Sequence, residues 1–123
     1  MSDPFIHLQF LRNFLLALPG VEERLTHGTP GFYVQKKFLA RLWENGEVLA
    51  VRTDDRDKWI NTDPDIFFFT DHYKNYPTVL VNLERVEPDM LEQLLTEAWM
   101  GRASKKWKVL SLKLKIQKLT FDF

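Results

Sequence analysis

Hydrophobic positions near the amino terminus recur at helical spacing. Leu8, Phe10, Leu11, Phe14, Leu15 and Leu18 share one arc of a 3.6-residue wheel, and Gln9, Arg12 and Asn13 lie opposite. Asp3 is a suitable N-cap, Pro4 fits a first turn where a missing N–H costs nothing, and Pro19-Gly20 ends the run. Phe5 and Leu16 fall on the polar side and mark a contact for another element or a second subunit. Residues 21–36 show no sustained period. Two glycines and a proline within Thr26-His27-Gly28-Thr29-Pro30-Gly31 predict a shaped turn, followed by a short strand at Phe32-Tyr33-Val34.

The pattern then changes to alternation. Residues 38–43 and 48–53 are β-rich runs joined through Glu44-Asn45-Gly46-Glu47, and Asn-Gly predicts a type I′ turn with positive φ at both positions. That register sets Trp43 opposite Val48 and Arg41 opposite Ala50. Phe38, Ala40, Leu42, Leu49 and Val51 then form the core side. The outer side carries Leu39, Arg41, Trp43, Val48, Ala50 and Arg52, with the two arginines as diagonal neighbours.

Thr53-Asp54-Asp55 reads as the start of a short helix ending near Ile60. A loop at 61–65, a buried strand at 66–69, a polar and aromatic stretch at 70–77 and a strand at 78–84 come next. A last helix over 88–100 presents Leu91, Leu94, Leu95 and Ala98 to the core, with Gly101 just past its end. In the tail, Leu110, Leu112, Leu114 and Ile116 alternate with Ser111, Lys113, Lys115 and Gln117, which suits an edge strand with one cationic face. The elements add up to an α+β two-layer sandwich, an antiparallel β-sheet packed against the N- and C-terminal helices. Residues 1–107 make the domain, and 108–123 are a basic and apolar C-terminal extension, a tail or an edge strand.

Composition narrows the function more than the fold. A chain of 123 residues with 45% hydrophobic and 28% charged residues is one globular domain. The absence of cysteine excludes disulfides, thiolate metal sites and a cysteine nucleophile. No signal-like start and no apolar run of membrane-spanning length point to the cytoplasm and away from membranes. The 17 basic and 17 acidic residues balance, which argues against strong non-specific nucleic-acid binding. Residues 102–118, however, hold seven Lys or Arg and no acid.

Candidate chemistry is sparse. His27 and His72 each lie beside a turn-former, but two histidines without a third ligand make no metal site, and bracing a loop is the simpler role. Asp54, Asp55, Asp57, Asp63 and Asp65 do not follow a calcium-loop spacing and are explained as solvated helix-start and turn residues. Neither a nucleophile elbow nor a phosphate-binding glycine loop is present. The sequence therefore predicts no catalytic residue, no metal and no cofactor. Binding has better candidates. Arg41, Arg52 and Trp43 combine charge with a stacking surface, Lys36, Lys37 and Lys74 extend it, and Lys105, Lys106, Trp107 and Lys108 repeat the mix. Pairing of Arg41 and Arg52 with nearby acids is the competing explanation.

The run His27-Gly28-Thr29-Pro30-Gly31-Phe32-Tyr33-Val34, with Lys36-Lys37-Phe38-Leu39-Ala40-Arg41-Leu42 after it, resembles the MmcQ/YjbR family of small bacterial proteins. So do Asp71-His72-Tyr73-Lys74-Asn75-Tyr76-Pro77, Val79-Leu80-Val81-Asn82-Leu83 and the segment from Leu91 to Trp99. The resemblance runs over about residues 5–107. It implies a double-wing, frataxin-like α+β fold and a non-enzymatic DNA-binding role, a role assigned to the family by fold analogy. One wing would be the 44–47 hairpin, whose tip is acidic on both sides of the turn. Two departures stand out: Gln35 where members often carry glycine, and a longer tail. The alternative is a small-ligand or protein-partner module with a pocket where the His27 and His72 loops meet, lined by His27, Thr29, His72, Tyr73 and Tyr76.

Overall fold

Tight turns fold residues 21–52 into a four-stranded meander: β1 (Val21–Thr26), β2 (Thr29–Val34), β3 (Lys37–Leu42) and β4 (Val48–Arg52). The computed structural model describes residues 4–103; Asp3 and the extension after Ala103 lie outside them. His27 and Gly28 have φ of 52° and 82°, the left-handed pair that a two-residue hairpin turn needs. The stretch expected to be irregular is thus a hairpin, with Thr26 opposite Thr29 and Val21 opposite Val34. Its strand period is hidden because β1 is an edge strand with a charge on its inner side. Glu23 faces α1 (Pro4–Leu15), where Arg12 donates to both carboxylate oxygens at 2.7 Å.

The next turn, Gln35-Lys36, also has both residues in the left-handed region, at φ 51° and 70°. Neither is glycine, so each carries a steric cost that the flanking ladder holds in place. Beyond it Tyr33 pairs with Phe38 while Phe32 pairs with Ala40, which leaves Leu39 as the extra residue of a β-bulge. The bulge corrects the expected faces. Leu39 joins Ala40 in the core, and Phe38 sits edge-on to Tyr33 with ring centroids 5.9 Å apart.

The third turn keeps the expected register but not the expected type. Arg41 faces Ala50, and the Trp43 N–H donates to Val48 at 2.9 Å. Only Gly46 has positive φ, at 71°; Asn45 does not, so this is a four-residue loop and not a type I′ turn. Gly46 donates back to the Trp43 carbonyl, and the Asn45 side chain accepts from the Glu47 N–H at 2.9 Å. A four-residue loop centred on Asn45-Gly46 leaves the same partners opposite each other.

From β4 the chain enters α2 (Arg56–Thr62), a two-residue β5 (Phe67–Phe68), a 3-10 turn (Asp71–Tyr73), β6 (Thr78–Asn82) and α3 (Pro88–Arg102). The six strands form one antiparallel sheet in the order β1-β2-β3-β4-β6-β5. All three helices bury apolar side chains against the same face: Leu11 and Leu15, Trp59, and the expected α3 stripe meet Leu42, Leu49, Val51, Val79 and Val81. Trp99, absent from the expected stripe, is fully buried, packs on Val34 and Ala103, and donates its indole N–H to the Pro19 carbonyl at 2.9 Å. Gly101 lies inside the last turn of α3, which runs on to Arg102. The result is the α+β two-layer architecture.

Candidate nucleic-acid interface

An antiparallel sheet sorts its turns to two ends, and here the ends differ in charge. At one end lie the Gln35-Lys36 turn, the close of β4, the start of α2 and the C-terminus of α3. Lys36, Lys37, Arg52 and Arg102 lie on these segments and Lys74 on the adjoining loop before β6, with Asp54, Asp55 and Asp57 among them at the start of α2. At the other lie the His27-Gly28 turn, the 44–47 loop and the chain leaving β6, which bring Glu44, Glu47, Glu84 and Glu87.

Lys36 and Lys37 are exposed and take part in no ion pair among the described residues. Arg102 stands next to them, because its Nε–H donates to the Phe38 carbonyl at 3.1 Å. Burial and the neighbouring Arg52 push the Arg102 guanidinium below its ordinary value, against the pull of Asp54. Cations that crowd one another in this way favour an added anion.

The outer-face arginines behave differently. Arg41 Nη2 lies 2.6 Å from Glu44 Oε1, and its Nε–H reaches the Thr26 carbonyl at 3.3 Å. Arg52 Nη1 lies 2.9 Å from Asp54 Oδ1. Both charges therefore have a carboxylate partner, the pairing that the sequence left open. The Glu44 carboxyl is held below the usual carboxylate range, first by its own backbone N–H and then by Arg41 and His27. Trp43 is half-buried on the same face.

The two histidine loops do not meet. His27 follows β1 at one edge of the sheet, whereas His72 precedes β6 beside the opposite edge and at the opposite end. The expected common pocket is absent, since strand order separates segments that motif-like sequence suggested pairing. Thr29 is buried and donates to the Thr26 carbonyl at 3.1 Å, closing its own turn. His72 contacts Tyr73 edge-on at 4.9 Å and Tyr76 at 6.3 Å. The organiser of that loop is Arg56, which the sequence did not single out. It donates to the carbonyls of Tyr73, Tyr76 and Lys74 at 2.8, 2.9 and 3.1 Å and lies 4.3 Å from the Phe69 ring centroid. An open polar cleft of about 580 Å³ runs between the start of α2 and this loop, with Asp54, Asp55, Lys74 and Tyr76 on its walls.

Lys105, Lys106 and Lys108 lie outside the described residues. Among the described residues no three His, Asp or Glu side chains converge as a metal site, and no helix is long and apolar enough to cross a membrane.

Fold and surface define a small single-sheet α+β protein with one basic end. Residues 16–100 match the YjbR family model, and the chain belongs to that family. It is 38% identical over 65 residues to uncharacterized proteins of Mycobacterium bovis and Mycobacterium tuberculosis. The match spans about half of this chain and half (50%) of those curated relatives. The crystal structure of Deinococcus radiodurans protein DR2400, a DUF419 domain, has a similar fold, with a TM-score of 0.64 and 20% identity over 80% of each chain.

Proposed function

We propose that this protein is a non-enzymatic DNA-binding protein that holds the phosphate backbone with its basic end. The observation that supports this most is the adjacent Lys36 and Lys37, exposed at the turn into β3 and without ion-pair partners among the described residues, beside Arg102, whose guanidinium is pushed below its ordinary value first by burial and then by Arg52. Backbone contacts of this kind position a duplex without reading its bases. The acidic Glu44–Glu47 tip points the other way along the sheet, so the wing tip is not the contacting surface in this reading. With a balanced net charge, affinity falls in the non-specific range of about 10⁻⁴–10⁻⁶ M.

Fluorescence anisotropy with labelled duplex and single-stranded DNA at two salt concentrations tests it. Binding should weaken steeply with salt, and Lys36→Gln/Lys37→Gln should lower the salt slope by roughly 2 for every sequence. Arg41→Gln/Arg52→Gln should matter less, because those cations are already paired. No binding at low salt rejects the proposal. The alternative, a small-ligand or protein-partner module, is favoured by the cleft under Arg56, where Lys74 and Tyr76 are exposed. Such binding would tolerate salt and respond to Tyr76→Ala.

A further inference from the structure

The sheet ends in β1 and β5, and each of these strands has one side unpaired among the described residues. β5 is only two residues long, whereas β1 offers six. The hairpin turn fixes which backbone groups of β1 can pair again. A two-residue turn closes on a hydrogen-bonded pair, here Thr26 and Thr29, and alternation then aims Glu22, Arg24 and Thr26 at β2. The N–H and C=O groups of Glu23 and Leu25 therefore point away from the sheet, as does the Val21 carbonyl.

Two large apolar side chains flank this edge in the open: Leu25 is 80% exposed and Leu16 44%. Both lie on the helix side. Leu25 shares a strand face with Glu23, which meets Arg12. Leu16 stands one helical turn beyond Arg12, and its N–H donates to the Arg12 carbonyl at 3.1 Å. Because Arg12 meets Glu23 across the Pro19-Gly20 turn, α1 and β1 run back along each other, which brings Leu16 level with Val21. On the other face Arg24 Nη2 lies 3.2 Å from Glu22 Oε2.

Charges along an edge turn away strands of arbitrary sequence. A second copy of this strand matches them. We propose that β1 pairs antiparallel with β1 of a second copy about a two-fold axis at Glu23, joining two six-stranded sheets into one. The two Glu23 residues then exchange backbone N–H···O bonds, each carboxylate keeping its own Arg12. Glu22 of each copy faces Arg24 of the other, on the close, non-hydrogen-bonded pairs with Cα atoms about 4.5 Å apart. Four charges of alternating sign thus meet on the outer face. On the helix side, Leu25 of each copy covers Val21 and Leu16 of the other, and the two-fold repeats every contact. The pairing stands whether or not the basic end binds DNA.

Sedimentation equilibrium of the full chain, from micromolar to millimolar concentration, tests it. The unsubstituted chain should dimerise reversibly. Arg24→Glu sets like charges opposite each other twice and should raise the dissociation constant at least about tenfold, and Glu22→Arg should do the same. An equimolar mixture of the two variants should dimerise about as well as the unsubstituted chain, because each mixed dimer restores opposite charges at both places. That recovery also shows that both variants are folded. A chain monomeric at millimolar concentration, a dimer indifferent to Arg24→Glu, or a mixture no tighter than its components overturns the proposal. The chain has no cysteine, so introduced thiols report the register. Glu22→Cys mixed with Arg24→Cys should form a disulfide at least about tenfold faster than Arg24→Cys alone, whose thiols are offset by two residues. Equal rates would overturn the pairing about Glu23.

Discussion

Arg102 donates its Nε–H to the carbonyl of Phe38 at 3.1 Å, joining residues 64 positions apart. The bond pins the end of the last helix to the first residues of β3, beside the bulge. It also sets a guanidinium next to Lys36 and Lys37. Arg102→Met should cost about 1–2 kcal/mol in urea unfolding, because the Phe38 carbonyl loses its charged donor. Arg102→Lys retains the charge without the Nε fork. It should be nearly as destabilised while keeping DNA affinity, so the two variants separate the bond from the charge.

The Gln35-Lys36 turn predicts the opposite combination. Both residues are held at positive φ, where glycine has no steric penalty. Lys36→Gly should raise the unfolding free energy by about 1 kcal/mol while weakening DNA binding through loss of one cation. A variant that is more stable yet binds less well would be difficult to explain by any general unfolding effect.

Gly46 and Asn45 test the shape of the third turn. Gly46→Val should destabilise by about 1–2 kcal/mol, since a β-branched residue resists φ 71°. Asn45→Gly should bring no gain, because Asn45 lies outside the positive-φ region and its side-chain oxygen accepts from the Glu47 N–H. A stabilised Asn45→Gly protein in a denaturant titration would instead indicate a type I′ turn.

Glu44 should titrate below the ordinary carboxylate range, as read by NMR of its side-chain carbonyl. A depressed folded value means that its contribution to stability is present above the ordinary carboxylate pKa and is lost as pH falls through the depressed one. Arg41→Gln should move the midpoint up only part of the way, because the largest cause is the backbone N–H of Glu44 itself.

Arg41 illustrates how far local pattern carries. Its cross-strand partner, Ala50, follows from alternation and the loop position alone, since a strand's period of two leaves one register that buries the right face. The α3 stripe of Leu91, Leu94, Leu95 and Ala98 is legible for the same reason at helical period. Its ion-pair partner Glu44 was only one possibility among nearby acids, because side-chain pairing depends on the course of the loop.

Sequence by itself thus determined the elements whose side chains repeat with a period: α1, α3, β3, β4 and β6, and from them the α+β class. Tertiary structure decided everything that depends on which segments become neighbours. Glu23 hid the edge strand β1 because its partner, Arg12, is on a helix. The bulge at Leu39 reversed two side chains because β2 and β3 differ by one residue between their paired positions. His27 and His72, similar as motifs, ended at opposite corners because β6 inserts between β4 and β5. Strand order is set by long-range burial, and no short window of sequence records it.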